Sequence, residues 1–152
     1  MVFKNLVIHP QVTDAHKAGC AAGKQGKFVE FKNAYWEKAY AKRDTSMDTI
    51  LAIGKDLGID TARFKADLEG TECKAQVDGD MAELHKFHVG GTPFFFINGK
   101  TLNGALPKEA FKQIIEERLK VAEASGVTGA SYYEKEVMGK GEKQFRSKID
   151  QK

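Results

Sequence analysis

Val89-Gly90-Gly91-Thr92-Pro93-Phe94-Phe95-Phe96-Ile97-Asn98-Gly99 decides how the rest of this chain is read. The apolar run Phe94 to Ile97, opened by Pro93 and closed by Asn98-Gly99, predicts a strand, a type I′ turn and a return strand over Lys100-Thr101-Leu102. The two strands are expected to be antiparallel neighbours. Beyond them Leu106-Pro107 opens a helix, with proline at a permissible first position. Phe111, Ile114, Ile115, Leu119 and Val121 give that helix an apolar face expected to pack on the sheet. Ser125 to Lys152 is charged and broken by glycine, with a small apolar set at Tyr132, Tyr133, Val137 and Met138. This predicts one short docked helix followed by a mobile tail.

Upstream, the period is helical. Thr45 with Asp48 resembles a capping box ahead of Ile50, Leu51, Ile53 and Leu57, and Gly58 supplies a stop. Asp60 caps a short helix bearing Phe64 and Leu68, and a longer helix is expected from about Thr71 to His88, weakened at Asp78-Gly79-Asp80. Nearer the start, Ala15, Ala18, Ala21 and Ala22 recur at helical spacing before Gly23. Phe28, Phe31, Tyr35 and Trp36 then form an aromatic stripe read as core. Val2, Phe3, Leu6, Val7 and Ile8 make an apolar run stopped by His9-Pro10, which predicts a buried strand. Four or five helices therefore separate the first strand from the hairpin, an α/β order.

Composition excludes several classes. The 152 residues are 41% hydrophobic and 30% charged, enough for one globular domain that buries roughly two-thirds of its unfolded surface. Its 24 lysines and arginines are interleaved with 21 aspartates and glutamates, for a net charge of +3, so no basic stripe points to nucleic acid. No apolar run approaches the roughly 18 residues that span a bilayer. Met1 to Pro10 is too short and wrongly flanked for a signal peptide. The chain is expected to be soluble, with no membrane partner, and to be mature, shortened or intracellular.

The dispersed motifs resemble one family. Gly-Thr-Pro-Phe-Phe-Phe-Ile-Asn-Gly followed by Gly104-Ala105, Pro107 and Phe111 is similar to the C-terminal part of the DsbA-like thiol-disulfide oxidoreductases, whose thioredoxin-like sheet carries a helical insert. Lys24-Gln25-Gly26-Lys27-Phe28 and Leu57-Gly58-Ile59-Asp60 resemble two further family segments, in family order. The resemblance covers about residues 2 to 121. It implies a thioredoxin-like domain over 1–124, a helical insert over about 13–88, and a charged extension over 125–152. It also implies that Gly91, Thr92 and Pro93 form the loop that holds an extended or unfolded polypeptide substrate, with a cis bond before Pro93. The sequence alone favours trans, because only about 5–6% of X-Pro bonds are cis. A periplasmic or cell-envelope location is expected on the same ground.

The departure from the family is the redox motif. No Cys-x-x-Cys occurs, and the family's two leading strands and active-site helix would precede Val2 to Ile8, so the chain reads as a C-terminal part with no catalytic residue of its own. In thioredoxin topology the strand leading into the dithiol lies between the equivalents of Val2 to Ile8 and Phe94 to Ile97. Without it, two strand edges need partners. They could pair directly, a second copy could exchange a strand to give a homodimer, or a complementing N-terminal segment could complete the sheet. The non-catalytic alternative is a thioredoxin-like module that binds a peptide or partner.

Cys20 and Cys73 are the only cysteines. The favoured reading is two small, partly buried thiols, with a disulfide between insert helices as the sharper alternative and a catalytic Cys20 behind both. His16 with Cys20 and His85 with His88 share helical spacing, but neither pair completes a metal site, and no metal or cofactor is expected.

Overall fold

The structure, a computed structural model, describes residues 1–142; the expected mobile tail falls largely outside them. The chain divides between Glu83 and Leu84 into two compact units, each taken by itself below.

The first unit is helical. After a single 3₁₀ turn at Pro10–Val12 come α1 (Thr13–Gly23), α2 (Phe28–Tyr35) with a π turn over Trp36–Tyr40, α3 (Met47–Asp56), α4 (Thr61–Glu69) and α5 (Thr71–Lys86). The alanines of α1 let it pack closely: Ala18, Ala21 and Ala22 are fully buried against a core that includes Phe31, Ile50, Ile53, Phe64 and Leu68. Gly54 permits the closest approach, because a Cβ there would meet the Phe64 ring at 3.0 Å. Burial of each large side chain in this core contributes roughly 1.5–3 kcal/mol.

Local signals set the helix ends, with two corrections to the sequence reading. Asp60 caps α4 as expected, accepting from the Arg63 N–H at 2.9 Å, and Gly58 stops α3 at φ +70°. The cap of α3 is Ser46 and not Thr45: its Oγ accepts from the Thr49 N–H, and Asp44 accepts from both hydroxyls. α5 runs unbroken through Asp78-Gly79-Asp80, since one helical glycine costs only about 1 kcal/mol. In the aromatic stripe Phe31 is core, but Trp36 is 55% exposed and lies edge-on to Tyr40 at 4.5 Å.

The expected strand at Val2 to Ile8 does not form among the described residues. A strand needs a neighbouring ladder, and here side chains of α5 take its place. The Asn5 N–H and side-chain amide donate to Asp80 Oδ2 at 2.9 and 2.8 Å, and the Val7 N–H reaches Met81 Sδ at 3.0 Å. Lys4 pairs with Asp80 and Glu83. Asn5 Oδ1 lies 3.1 Å from His16 Nδ1, whose burial holds the imidazole below its ordinary pKa. Val2, Phe3 and Ile8 stay largely exposed.

Cys20 of α1 and Cys73 of α5 are joined as a disulfide with Cα atoms 5.6 Å apart, which replaces the reading of two free thiols. Closing a loop of 53 residues stabilises the insert by about 4 kcal/mol in the chain-entropy account.

The second unit holds the hairpin and what packs on it. β1 (Phe94–Ile97) and β2 (Lys100–Asn103) pair antiparallel, Phe95 opposite Leu102 and Ile97 opposite Lys100. Asn98 and Gly99 both take positive φ, as the type I′ turn requires. α6 (Lys108–Ala124) follows, with Pro107 just before its first turn, and Phe111 sets its ring edge-on to Phe95 at 4.8 Å. The expected apolar face covers the sheet only in part: no residue of α6 is buried, and Ile115 and Leu119 are 51% and 53% exposed. A short helix α7 (Gly129–Tyr132) and a π turn over Tyr133–Met138 end the described chain.

Candidate functional site

The loop Gly90-Gly91-Thr92-Pro93 enters β1 directly. Thr92 and Pro93 are exposed, the bond between them is cis, and the Pro93 carbonyl accepts from the Gly104 N–H at 2.9 Å, so the hairpin ladder begins there. Gly104, at φ +92°, turns its N–H back to make that bond. Among the described residues the backbone groups of Gly90, Gly91 and Thr92 have no hydrogen-bond partner in the chain.

The two edges of the hairpin differ. A two-residue turn makes Ile97 and Lys100 a hydrogen-bonded pair, and alternation extends that pattern to Phe95 with Leu102 and Pro93 with Gly104. The backbone groups of Phe96 on β1 and Thr101 on β2 therefore point away from the hairpin, on opposite edges. At Thr101 the edge is closed. Glu142 donates its N–H to the Gly99 carbonyl at 2.8 Å, and its carboxylate accepts from the Thr101 N–H and hydroxyl and from Lys100. Partial burial pushes the Glu142 carboxyl up, but these hydrogen bonds outweigh it and hold the pKa at about 2 against an ordinary 4.5. Gly141 and Gly99 make the approach possible, since a Cβ on Gly141 would meet the Val137 carbonyl at 2.3 Å and Gly99 Cα at 2.9 Å.

At Phe96 no backbone partner lies among the described residues, and this residue, 42% exposed, sets its ring against Phe87 and Phe94 at 5.0 Å each. α6 points to the same side. Leu102 of β2 borders a shallow groove with Ala110, Ile114 and Val121, whereas Phe111 lies on Phe95 of β1. Ile115 and Leu119 continue the Phe111 stripe at four-residue intervals. They stand half in solvent.

The structure thus places Gly91, Thr92 and Pro93 together at the head of β1. Cys20 and Cys73 lie in the helical insert of the other unit. Sequence reasoning missed Glu142, which acts 41 residues away from Thr101 with only the Gly-Lys-Gly-Glu spacing as a local sign. It also missed Asp80 as an anchor, buried to 6% exposure in the stretch read only as a weak point of its helix. Among the described residues no cluster of three potential metal ligands occurs, and no helix is long and apolar enough to cross a membrane.

Comparison with known proteins gives a family. A family model described as a DSBA-like thioredoxin domain matches residues 1–116. The chain is similar to a stretch of the Na(+)/H(+) antiporter NhaA of Herminiimonas arsenicoxydans, 27% identical over 115 residues, 76% of this chain and 18% of that protein. It is likewise similar to the Na(+)/H(+) antiporter NhaA 1 of Salinispora arenicola (strain CNS-205), 28% identical over 108 residues, 71% of this chain and 16% of that protein. The chain spans less than a fifth of the length of these curated relatives. No solved structure matches it.

Proposed function

The chain belongs to the DsbA-like thioredoxin-domain family, and from that premise we propose that it supplies the polypeptide-holding part of a thiol-disulfide oxidoreductase. Gly91, Thr92 and Pro93 grip an extended substrate, and the reactive dithiol comes from polypeptide outside residues 1–152. The observation that carries this reading is the backbone at Gly90 to Thr92, which has no hydrogen-bond partner among the described residues. An extended chain can hydrogen-bond to such groups as an added strand, whatever its sequence. In exchange chemistry a thiolate attacks a disulfide sulfur in line, so holding the substrate backbone beside the dithiol orients the attacked sulfur. Cys20 and Cys73 do not fill the dithiol role, being 53 positions apart and joined across the insert. The oxidising cell envelope is the proposed location, where a disulfide such as Cys20–Cys73 persists.

The test is titration of the chain with an unfolded, reduced and alkylated polypeptide. Saturable binding is expected, weakened about tenfold or more by Gly91→Val. A side chain at Gly91 meets nothing within 4 Å in the chain itself, so the variant should melt like the wild type. Binding that Gly91→Val leaves unchanged contradicts the reading. The isolated chain is also expected to show no sustained insulin reduction; turnover abolished by Cys20→Ser would move catalysis to the insert.

A second reading is a non-catalytic binding module in which a second copy lends a strand to the β1 edge. The half-exposed Ile115 and Leu119 favour it, since a strand added there would cover them. Sedimentation equilibrium decides, with a concentration-dependent dimer expected on this reading and a monomer at all concentrations on the first.

A further inference from the structure

The two residues of the insert disulfide differ in burial. Cys73 is fully buried, whereas Cys20 is only partly buried and borders a groove of about 440 Å³. The Phe3 and Phe28 rings wall that groove, 5.2 Å apart, with Gly19 and Gly23 of α1 also lining it. Its two cations are already neutralised: Lys4 by Asp80 and Glu83, Lys24 by Asp67 and Glu72. Asn5 and Gln76 complete its lining, so the groove is part polar, and the four carboxylates around its two lysines disfavour small anionic thiols. An extended polypeptide with few charges near its cysteine fits that chemistry.

We propose that the Cys20–Cys73 disulfide is an exchange-competent site, opened from this groove by a cysteine thiolate of a polypeptide at Cys20 Sγ. The incoming thiolate forms a mixed disulfide with Cys20 as the Cys20–Cys73 bond breaks, and the bonding pair leaves with Cys73 Sγ, which takes a proton from water. A second thiolate of the same polypeptide then attacks its own sulfur in the mixed disulfide and releases Cys20. The substrate dithiol is oxidised by two electrons and the insert disulfide reduced by two, one equivalent per chain. Cys73 stands third in α5, so its leaving thiolate forms in a first turn whose N–H groups favour negative charge. The site differs from the hairpin loop and does not depend on it. Its consequence falls on the N-terminal segment: reduction unties α1 from α5, the helix whose Asp80 holds Asn5.

The test exposes folded wild-type protein to millimolar dithiothreitol, and separately to an unstructured peptide with one cysteine, then traps and maps adducts by mass spectrometry. The mixed disulfide should form on Cys20, at a rate insensitive to urea below the unfolding transition. An adduct on Cys73, or reduction that keeps pace with global unfolding as urea rises, overturns the proposal. Single variants give an independent check. The free thiol of Cys73→Ser should react with a small aromatic disulfide reagent at least about tenfold faster than that of Cys20→Ser. Equal rates in folded protein overturn it as well.

Discussion

Between Met1 and Glu83, Phe31, Ile50, Phe64 and Leu68 are each no more than 2% exposed, whereas from Leu84 onward α6 contains no buried residue and Ile115 and Leu119 stand half in solvent. Both regions spend the same kinds of apolar side chain at the same helical spacing. What differs is cover. In the insert, α1 to α4 pack around a shared core, and the disulfide ties α5 to it. In the hairpin unit, the two strands among the described residues leave α6 without a buried residue, and Glu142 occupies the edge of β2. The general lesson is that a face can be apolar by pattern and still await its partner.

The sharpest way to break this contrast is at Phe64. Truncation to alanine leaves a cavity against Gly54 and Phe31, and denaturant unfolding should show a loss of about 3–5 kcal/mol. A loss under about 1 kcal/mol would mean the insert core is as open as the other unit. Replacing Ile115 and Leu119 by serine should cost less than about 1 kcal/mol each in the chain alone. The same pair should weaken binding of whatever strand covers β1. A large destabilisation of the free chain would show that these side chains are already covered.

These differences follow from what a sequence can and cannot encode locally. The hairpin was legible because proline, four apolar residues and Asn-Gly specify it within ten positions. The α4 cap at Asp60 and the small-residue packing of α1 were legible for the same reason. The Val2 to Ile8 run was not, since its apolar pattern suits a strand but strand formation depends on a neighbour that the pattern does not supply. The Cys20–Cys73 bond, the Asp80 anchor and the Glu142 clasp each join residues far apart in the chain, where spacing carries no signal. At the site, Gly91, Thr92 and Pro93 could be named, but the openness of one edge and closure of the other required the register.

The clasp gives the smallest expected effect and a defined pH window. The Glu142 carboxyl has a lower pKa folded, about 2, than its ordinary 4.5. Its contribution is therefore complete above about pH 4.5 and is lost as pH falls from there through about 2. Amide resonances of Lys100 and Thr101 should titrate in that window and stay flat near neutrality. In Glu142→Gln the titration should vanish. A midpoint near 4.5 would mean the clasp is not formed in solution.

Hydrogen exchange at two backbone amides tests the central claim most directly, because Phe96 and Thr101 lie on opposite edges of the same short hairpin. In dilute free chain the Thr101 amide, bonded to Glu142, should be protected and the Phe96 amide should exchange rapidly, becoming slow when an extended polypeptide is added. A Phe96 amide protected in the free monomer, or unmoved by saturating polypeptide, would contradict the account.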